Sequence, residues 1–165
     1  MVNERKPVPV VRLELKHVDL KELVRIDGLL GEAPLFKAVG RTGVARLIEK
    51  ASPRRLAAGQ AAYRQGEKGN GLFLVLRGEI VLSQNETVVD TVRKGDFFGE
   101  AEILDPLAPR GCTAMAADAA DVAEFPHAEV ASLVRSHVAL LALLRDARDA
   151  RAKAHHELND FLNRW

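Results

Sequence analysis

Hydrophobic positions change their period along the chain, and the changes divide it into three parts. Between residues 55 and 126, apolar residues come in short runs broken by Gly, Asn and Asp, the mark of brief strands joined by tight turns. The runs predict strands over 55–57, 62–64, 72–77, 79–84, 87–92, 112–117 and 121–126, with Gln84-Asn85-Glu86 as a hairpin tip. Regular short strands of this kind favour an antiparallel roll or jelly roll over a parallel α/β sheet. On either side the period becomes helical. Val44, Leu47 and Ile48 share one face of a helix over 42–51 that Pro53 stops. Further upstream, Asp19 caps a predicted helix over 20–30, with Gly31 ending it and Pro34 beyond. Residues 10–15 alternate as a short strand, and 1–9, with Pro7 and Pro9, form a polar arm. Downstream, Pro126 opens a short helix to 134, and a long helix runs from 138 to 165. Along it Leu140, Leu144, Ala147, Arg151, Ala154, Leu158, Phe161 and Trp165 alternate spacings of four and three. That is a heptad seam with one charged interruption, at Arg151.

The expected fold class is therefore mainly β with flanking α-helices: an antiparallel β-roll of the double-stranded β-helix or jelly-roll type. Its parts are an N-terminal arm and helix (1–34), the roll with its flanking helices (35–136) and a C-terminal helix (137–165). A chain of 165 residues forms one domain with modest extensions.

Composition narrows the function. Lys and Arg number 24 against 23 acidic residues, which gives no electrostatic footprint for a dedicated nucleic-acid binder. The six basic residues between 41 and 64 face only Glu49, but no aromatics are interleaved for base stacking, so a solvated face is expected. The single cysteine, Cys112, rules out an internal disulfide and a four-cysteine iron–sulfur cluster from this chain. It fits a reducing compartment. No signal-type apolar region follows Met1, and the longest apolar run, 138–144, is too short to cross a bilayer. A cytoplasmic protein without membrane contact is expected.

Metal and enzyme chemistry find little support. Of the five histidines, His17, His127, His137, His155 and His156, none lies between 55 and 125, where a metal-binding roll would carry its ligands. His155 and His156 are adjacent and would diverge by about 100° on a helix. GEKGNG at 66–71 has the wrong glycine order for a dinucleotide fingerprint and precedes a strand, so it is a turn. No nucleophile elbow, Walker A motif or zincin helix is present. No catalytic residue, metal ligand or cofactor is predicted.

The chemistry concentrates in residues 95–116, GDFFGEAEILDPLAPRGCTAMA. Gly99 relieves a backbone turn, Glu100 supplies a carboxylate, and Arg110 supplies a guanidinium fork that suits an anionic phosphate. Free N–H groups in such a turn make an anion nest, and a nearby carboxylate can accept from a sugar hydroxyl. Phosphate plus ribose is the ligand suggested.

FGE, with an Arg in a PRGCT segment ten residues after its Glu, resembles the phosphate-binding cassette of cyclic nucleotide-binding domains. These occur in catabolite-activator-type regulators, kinase regulatory subunits and gated channels. Leu35-Phe36, AAGQAAYRQGEKGNGLFLVLRGEIVL at 57–82 and VRKGDFFGE fit the same pattern, with Gly59, Gly66, Gly78, Gly95 and Gly99 at its turns. The resemblance spans 35–144 and implies a ligand pocket of Phe98, Gly99, Glu100, Ala101, Arg110, Gly111 and Cys112. Within it Glu100 takes the ribose 2′-hydroxyl and Arg110 the cyclic phosphate. In the family a hydroxyl residue after the arginine favours cGMP; Gly111 has none, which tilts the expected ligand towards cAMP. The C-terminal helix either covers the ligand or forms a homodimer seam. The chain ends at Trp165 without a helix-turn-helix, so the resemblance implies a protein partner and no direct DNA binding.

Glu102 departs from the family, which has small or apolar residues there. At about 5 Å from a phosphate it would repel by roughly 3 kcal/mol at an effective dielectric near 20, unless it turns outward or pairs with a base. A pocket adapted to a cyclic dinucleotide, or a silent roll serving as an interaction scaffold, are the alternatives this residue raises.

Overall fold

The computed structural model describes residues 28–69 and 71–164. The arm, the strand at 10–15 and nearly all of the helix at 20–30 lie outside the described residues. The elements are α1 (Leu29–Glu32), α2 (Pro34–Lys50), β1 (Ser52–Leu56), β2 (Ala61–Tyr63), β3 (Gly71–Arg77) and β4 (Glu79–Gln84). They continue with β5 (Thr87–Arg93), β6 (Phe97–Phe98), α3 (Ala101–Leu104), β7 (Thr113–Ala116), β8 (Ala120–Pro126), α4 (His127–Ser136) and α5 (Val138–Leu162). The strands form two four-stranded sheets ordered β1-β8-β3-β6 and β2-β7-β4-β5, with every pairing antiparallel. This is the predicted roll.

Strand periodicity explains how one roll supports two cores. Along β3, Phe73 and Val75 point between the sheets with Tyr63, Ile80, Leu82, Phe98 and Val122. Leu72, Leu74 and Leu76 point the other way, into a second core with Phe36, Leu47, Val130, Leu133, Leu140 and Leu144 from the helices. A strand buried on both faces reads as an unbroken apolar run, and LFLVL is one. Phe97 and Phe98 split in the same manner, Phe97 to the helices and Phe98 to the interior.

Several sequence expectations need correction. Gly31 does not end a helix; it lies inside α1, and Gly28, at φ 73°, precedes that turn instead. The helix predicted over 42–51 begins earlier, at Pro34, and is broken at Gly40, where φ is 66° and ψ −178°. Pro53 belongs to β1, which stands at a sheet edge where its missing N–H leaves no gap. β6 and α3 were not predicted.

The heptad seam on α5 is used within the chain over its first half: Leu140 and Leu144 are fully buried against the roll. Apolar surface is left at its two ends, at Val138 (83% exposed) and at Phe161 and Leu162 (60% and 55% exposed). Among the described residues no single helix is long and apolar enough to cross a membrane.

The hairpin tip at Asn85-Glu86 has both residues at positive φ, 49° and 66°, the two-residue turn whose twist matches antiparallel strands. Asn85 suits it and is braced by a side-chain and backbone pair with Gln65 at 3.0 and 2.9 Å. Glu86 carries a Cβ in the left-handed region. Glu86→Gly should therefore stabilise the fold by roughly 0.5–1 kcal/mol, a rise in melting temperature of about 2–4 °C; a calorimetric scan showing no rise or a fall would refute this.

Candidate ligand-binding site

The site is built where the segment after β6 turns back on the roll. Gly99 makes the turn at φ 86°; a Cβ there would stand 2.9 Å from Arg110 Nη1 and 3.0 Å from the Gly71 carbonyl. Glycine is needed both for its conformation and for this close approach. Arg110 is fixed from the opposite side by the 66–67 turn, its N–H donating to Glu67 O at 2.7 Å and its carbonyl accepting from Gly66 N at 2.8 Å. The turn at Gly66-Glu67 thus seats an arginine.

Arg110 is 3% exposed. Its guanidinium lies 4.0 Å from the Tyr63 ring centroid, and Nη2 donates to Gly71 O at 3.0 Å. Nη1 donates to Gly99 O at 3.4 Å and to the Glu102 carboxylate at 2.9 Å. The other Glu102 oxygen accepts from the Gly111 backbone N–H at 3.1 Å. Glu102 is itself 5% exposed, so this is a buried, charge-assisted pair. Glu102 does not turn outward. Burial pushes the Tyr63 phenol well above its ordinary range, against the pull of Arg110, and keeps it protonated.

Glu100, 3% exposed, is gripped from outside the roll. Arg151 on α5 donates to it at 2.5 Å, to Asp90 at 3.0 Å and to the Phe97 carbonyl at 2.9 Å. Burial alone would lower the Arg151 pKa, but Glu100 and Asp90 outweigh it and hold the guanidinium above its usual range. The residue that interrupts the heptad seam adds ion pairs to the apolar contacts that tie the C-terminal helix to the roll.

Between roll and helix lies a half-open cleft of about 600 Å³, counting space open to solvent. Gly99, Glu100, Ala101, Gly111 and Cys112 of the predicted pocket line it. Two predicted residues do not. Phe98 points into the roll, stacked on Phe73 with centroids 5.0 Å apart, and Arg110 sits behind Glu102. Sequence reasoning missed Tyr63, Leu82, Gln84, Val89, Arg148, Arg151 and Ala152, which with Glu102 complete the lining. The charged interruption at Arg151 was the one visible signal for any of them.

An antiparallel roll with a glycine turn, a buried arginine and a carboxylate beneath a C-terminal helix is the class of architecture this chain presents. Residues 53–137 match the cyclic nucleotide-binding domain family, and the chain belongs to that family. Over 99 residues it is 31% identical to the cAMP-dependent protein kinase regulatory subunit of Mycosarcoma maydis, covering 58% of this chain and 19% of the relative. Over 92 residues it is 35% identical to the corresponding subunit of Yarrowia lipolytica, covering 54% and 24%. The aligned part thus spans about a fifth to a quarter of these relatives. Among solved structures, cAMP-bound PfPKA-R superposes with a TM-score of 0.74 at 22% identity, covering 84% of this chain and 48% of that one.

Cys112 reports on the cleft. Burial pushes its thiol up to about 11, and the Glu100 and Glu102 charges add to the shift. At pH 8 so little is thiolate that alkylation by iodoacetamide should run on the order of a hundredfold slower than for a free cysteine. The rate should climb as pH rises towards 11. Ordinary reactivity at pH 8, followed by mass spectrometry on this single-cysteine chain, would contradict the half-buried, carboxylate-flanked placement.

Proposed function

We propose that the chain is a cyclic nucleotide sensor, with cAMP as its ligand, that reports binding to a protein partner through α5. One observation carries the reading: Arg151 of α5 holds Glu100, the carboxylate that the family pattern assigns to the ribose 2′-hydroxyl. Ligand and helix compete for the same oxygen atoms. A nucleotide entering the cleft exchanges Arg151 for a ribose hydroxyl, and the anchor of α5 is lost or remade in a new position. Coupling of this sort requires that the ligand favour one arrangement of the helix over the other, and a shared contact at Glu100 supplies that difference.

Further support comes from the relatives described as cAMP-dependent kinase regulatory subunits and from the cAMP-bound structure with the same fold. Gly111, lacking a hydroxyl, favours cAMP over cGMP. The cleft offers recognition groups, which suits a regulatory module. Its partner surface is the distal part of α5, where Phe161 and Leu162 are exposed; a second copy of the chain would use the same surface.

A second reading, that the roll is a scaffold with a silent pocket, is favoured by one feature, the Glu102 carboxylate on the cleft side of Arg110. Calorimetric titration with cAMP, cGMP and a cyclic dinucleotide separates the two. Binding of cAMP that Arg110→Ala weakens by about thirtyfold or more, the loss of a charge-assisted pair worth roughly 2 kcal/mol, supports the sensor. Folded protein that gives no heat with any of the three sinks it.

The competition at Glu100 makes its own prediction. Arg151→Ala should tighten cAMP binding by roughly three- to tenfold, since a contact worth about 1 kcal/mol no longer has to be displaced. It should also speed amide exchange along residues 138–162. Weaker cAMP binding in this variant would mean that Arg151 touches the ligand and does not compete with it.

A further inference from the structure

The Glu102 carboxylate makes the contacts that an anionic ligand oxygen would make at this place. One of its oxygens accepts from Arg110 Nη1 at 2.9 Å and the other from the Gly111 N–H at 3.1 Å. Glu102 lines the cleft and Arg110 does not, so the carboxylate stands between the guanidinium and anything entering. The fold makes room for this placement: a Cβ on Gly69 would lie 2.5 Å from both Cβ and Cγ of Glu102. With Glu102 in position the guanidinium still has a spare donor, since buried Arg110 Nε has no hydrogen-bond partner.

We propose that Glu102 is an internal anion that fills the phosphate subsite of the cleft, and that a cyclic phosphate binds only by expelling it. This rests on the cyclic nucleotide reading above and adds to it the residue that sets the affinity and the selectivity. A carboxylate and a phosphodiester each bring a full negative charge, and one buried guanidinium does not hold both without strong repulsion. Arg110 therefore waits with its charge already matched. Affinity for cyclic nucleotides is lowered by the work of displacing Glu102, so the domain responds only at high ligand concentration. A nucleoside of the same base and sugar but no phosphate meets no such competition.

The test is calorimetric titration of the full chain with cAMP and with adenosine, for the wild type, Glu102→Ala and Glu102→Gln. Both substitutions should tighten cAMP by roughly ten- to a hundredfold, the weight of a charge-assisted contact that the ligand no longer competes with. Adenosine affinity should stay unchanged. Glu102→Gln keeps the size and removes the charge, so a gain in that variant identifies charge competition and not extra space.

Removing Glu102 leaves Arg110 unpaired in the core, and Glu102→Ala should melt below the wild type and recover the loss with saturating cAMP. Should the alanine variant fail to fold, the glutamine variant, which keeps hydrogen-bonding groups beside Arg110, carries the measurement. Wild-type cAMP binding that neither substitution improves overturns this inference alone. Absence of cyclic nucleotide binding in the folded wild type and in both folded variants removes the cyclic nucleotide reading itself, and this inference with it.

Discussion

A guanidinium that is almost wholly buried is the costliest group in this molecule, and the surroundings of Arg110 follow from it. Taking an arginine out of water costs several kcal/mol unless charge and hydrogen bonds are returned. Here they come from the Glu102 carboxylate, the Gly71 and Gly99 carbonyls and the face of Tyr63. Each of these groups arrives from a different segment: the β2 strand end, the start of β3, the turn after β6 and the short α3. Arg110 thereby pins together four pieces of chain whose own strands are too short to fix one another. Gly69 and Gly99 are glycines for the same reason, because any side chain there would strike the pair.

A second arginine repeats the arrangement one layer out. Arg151 meets Glu100, Asp90 and the Phe97 carbonyl, but it does so from the C-terminal helix. Glu100 and Glu102 are two residues apart on one turn, and each faces a different arginine. The inner pair belongs to the roll and the outer pair joins roll to helix. Breaking the inner one exposes a buried charge; breaking the outer one frees a helix that Leu140 and Leu144 still hold at its beginning. In the proposed function that difference divides the roles: the inner pair would set whether an anion can enter, and the outer pair what happens to α5 when a ligand does.

Much of the roll was legible because its glycines fall where strands must turn, and because LFLVL, short and bounded by Gly71 and Gly78, reads as a strand. Strands as short as β6 and helices as short as α3 carry too few residues for a period to register. Gly31 was misread for a related reason: a glycine near a proline looks like a helix end, yet the conformational break sits three residues earlier at Gly28. In the site, Gly99, Glu100 and Arg110 were visible as a spaced set, while their pairing was not. A turn residue such as Glu102 can point either way, and which way it points depends on Gly69, some thirty residues upstream. Arg151 was visible only as a fault in a heptad seam. Its partners lie 51 and 61 residues away in sequence, and local pattern holds no information about them.

The charge inventory of the cleft constrains any ligand more tightly than its shape does. Glu100, Glu102 and Asp90 face Arg110 and Arg151, so the site as it stands already carries at least as much negative charge as positive. A cyclic nucleotide adds one more negative charge. It can be accommodated only if a carboxylate leaves or a further cation is recruited, and Arg148, which also lines the cleft and otherwise pairs with its neighbour Asp149, is the cation within reach. A shift of a two-state helix from mostly docked to mostly released needs several kcal/mol of differential binding. On the proposed reading that energy comes from the exchange of ion pairs, because Leu140 and Leu144, which hold the start of α5, do not line the cleft. Ligand recognition and helix release would then be one electrostatic event, set by Arg110 and Arg151 and by the two glutamates of one turn.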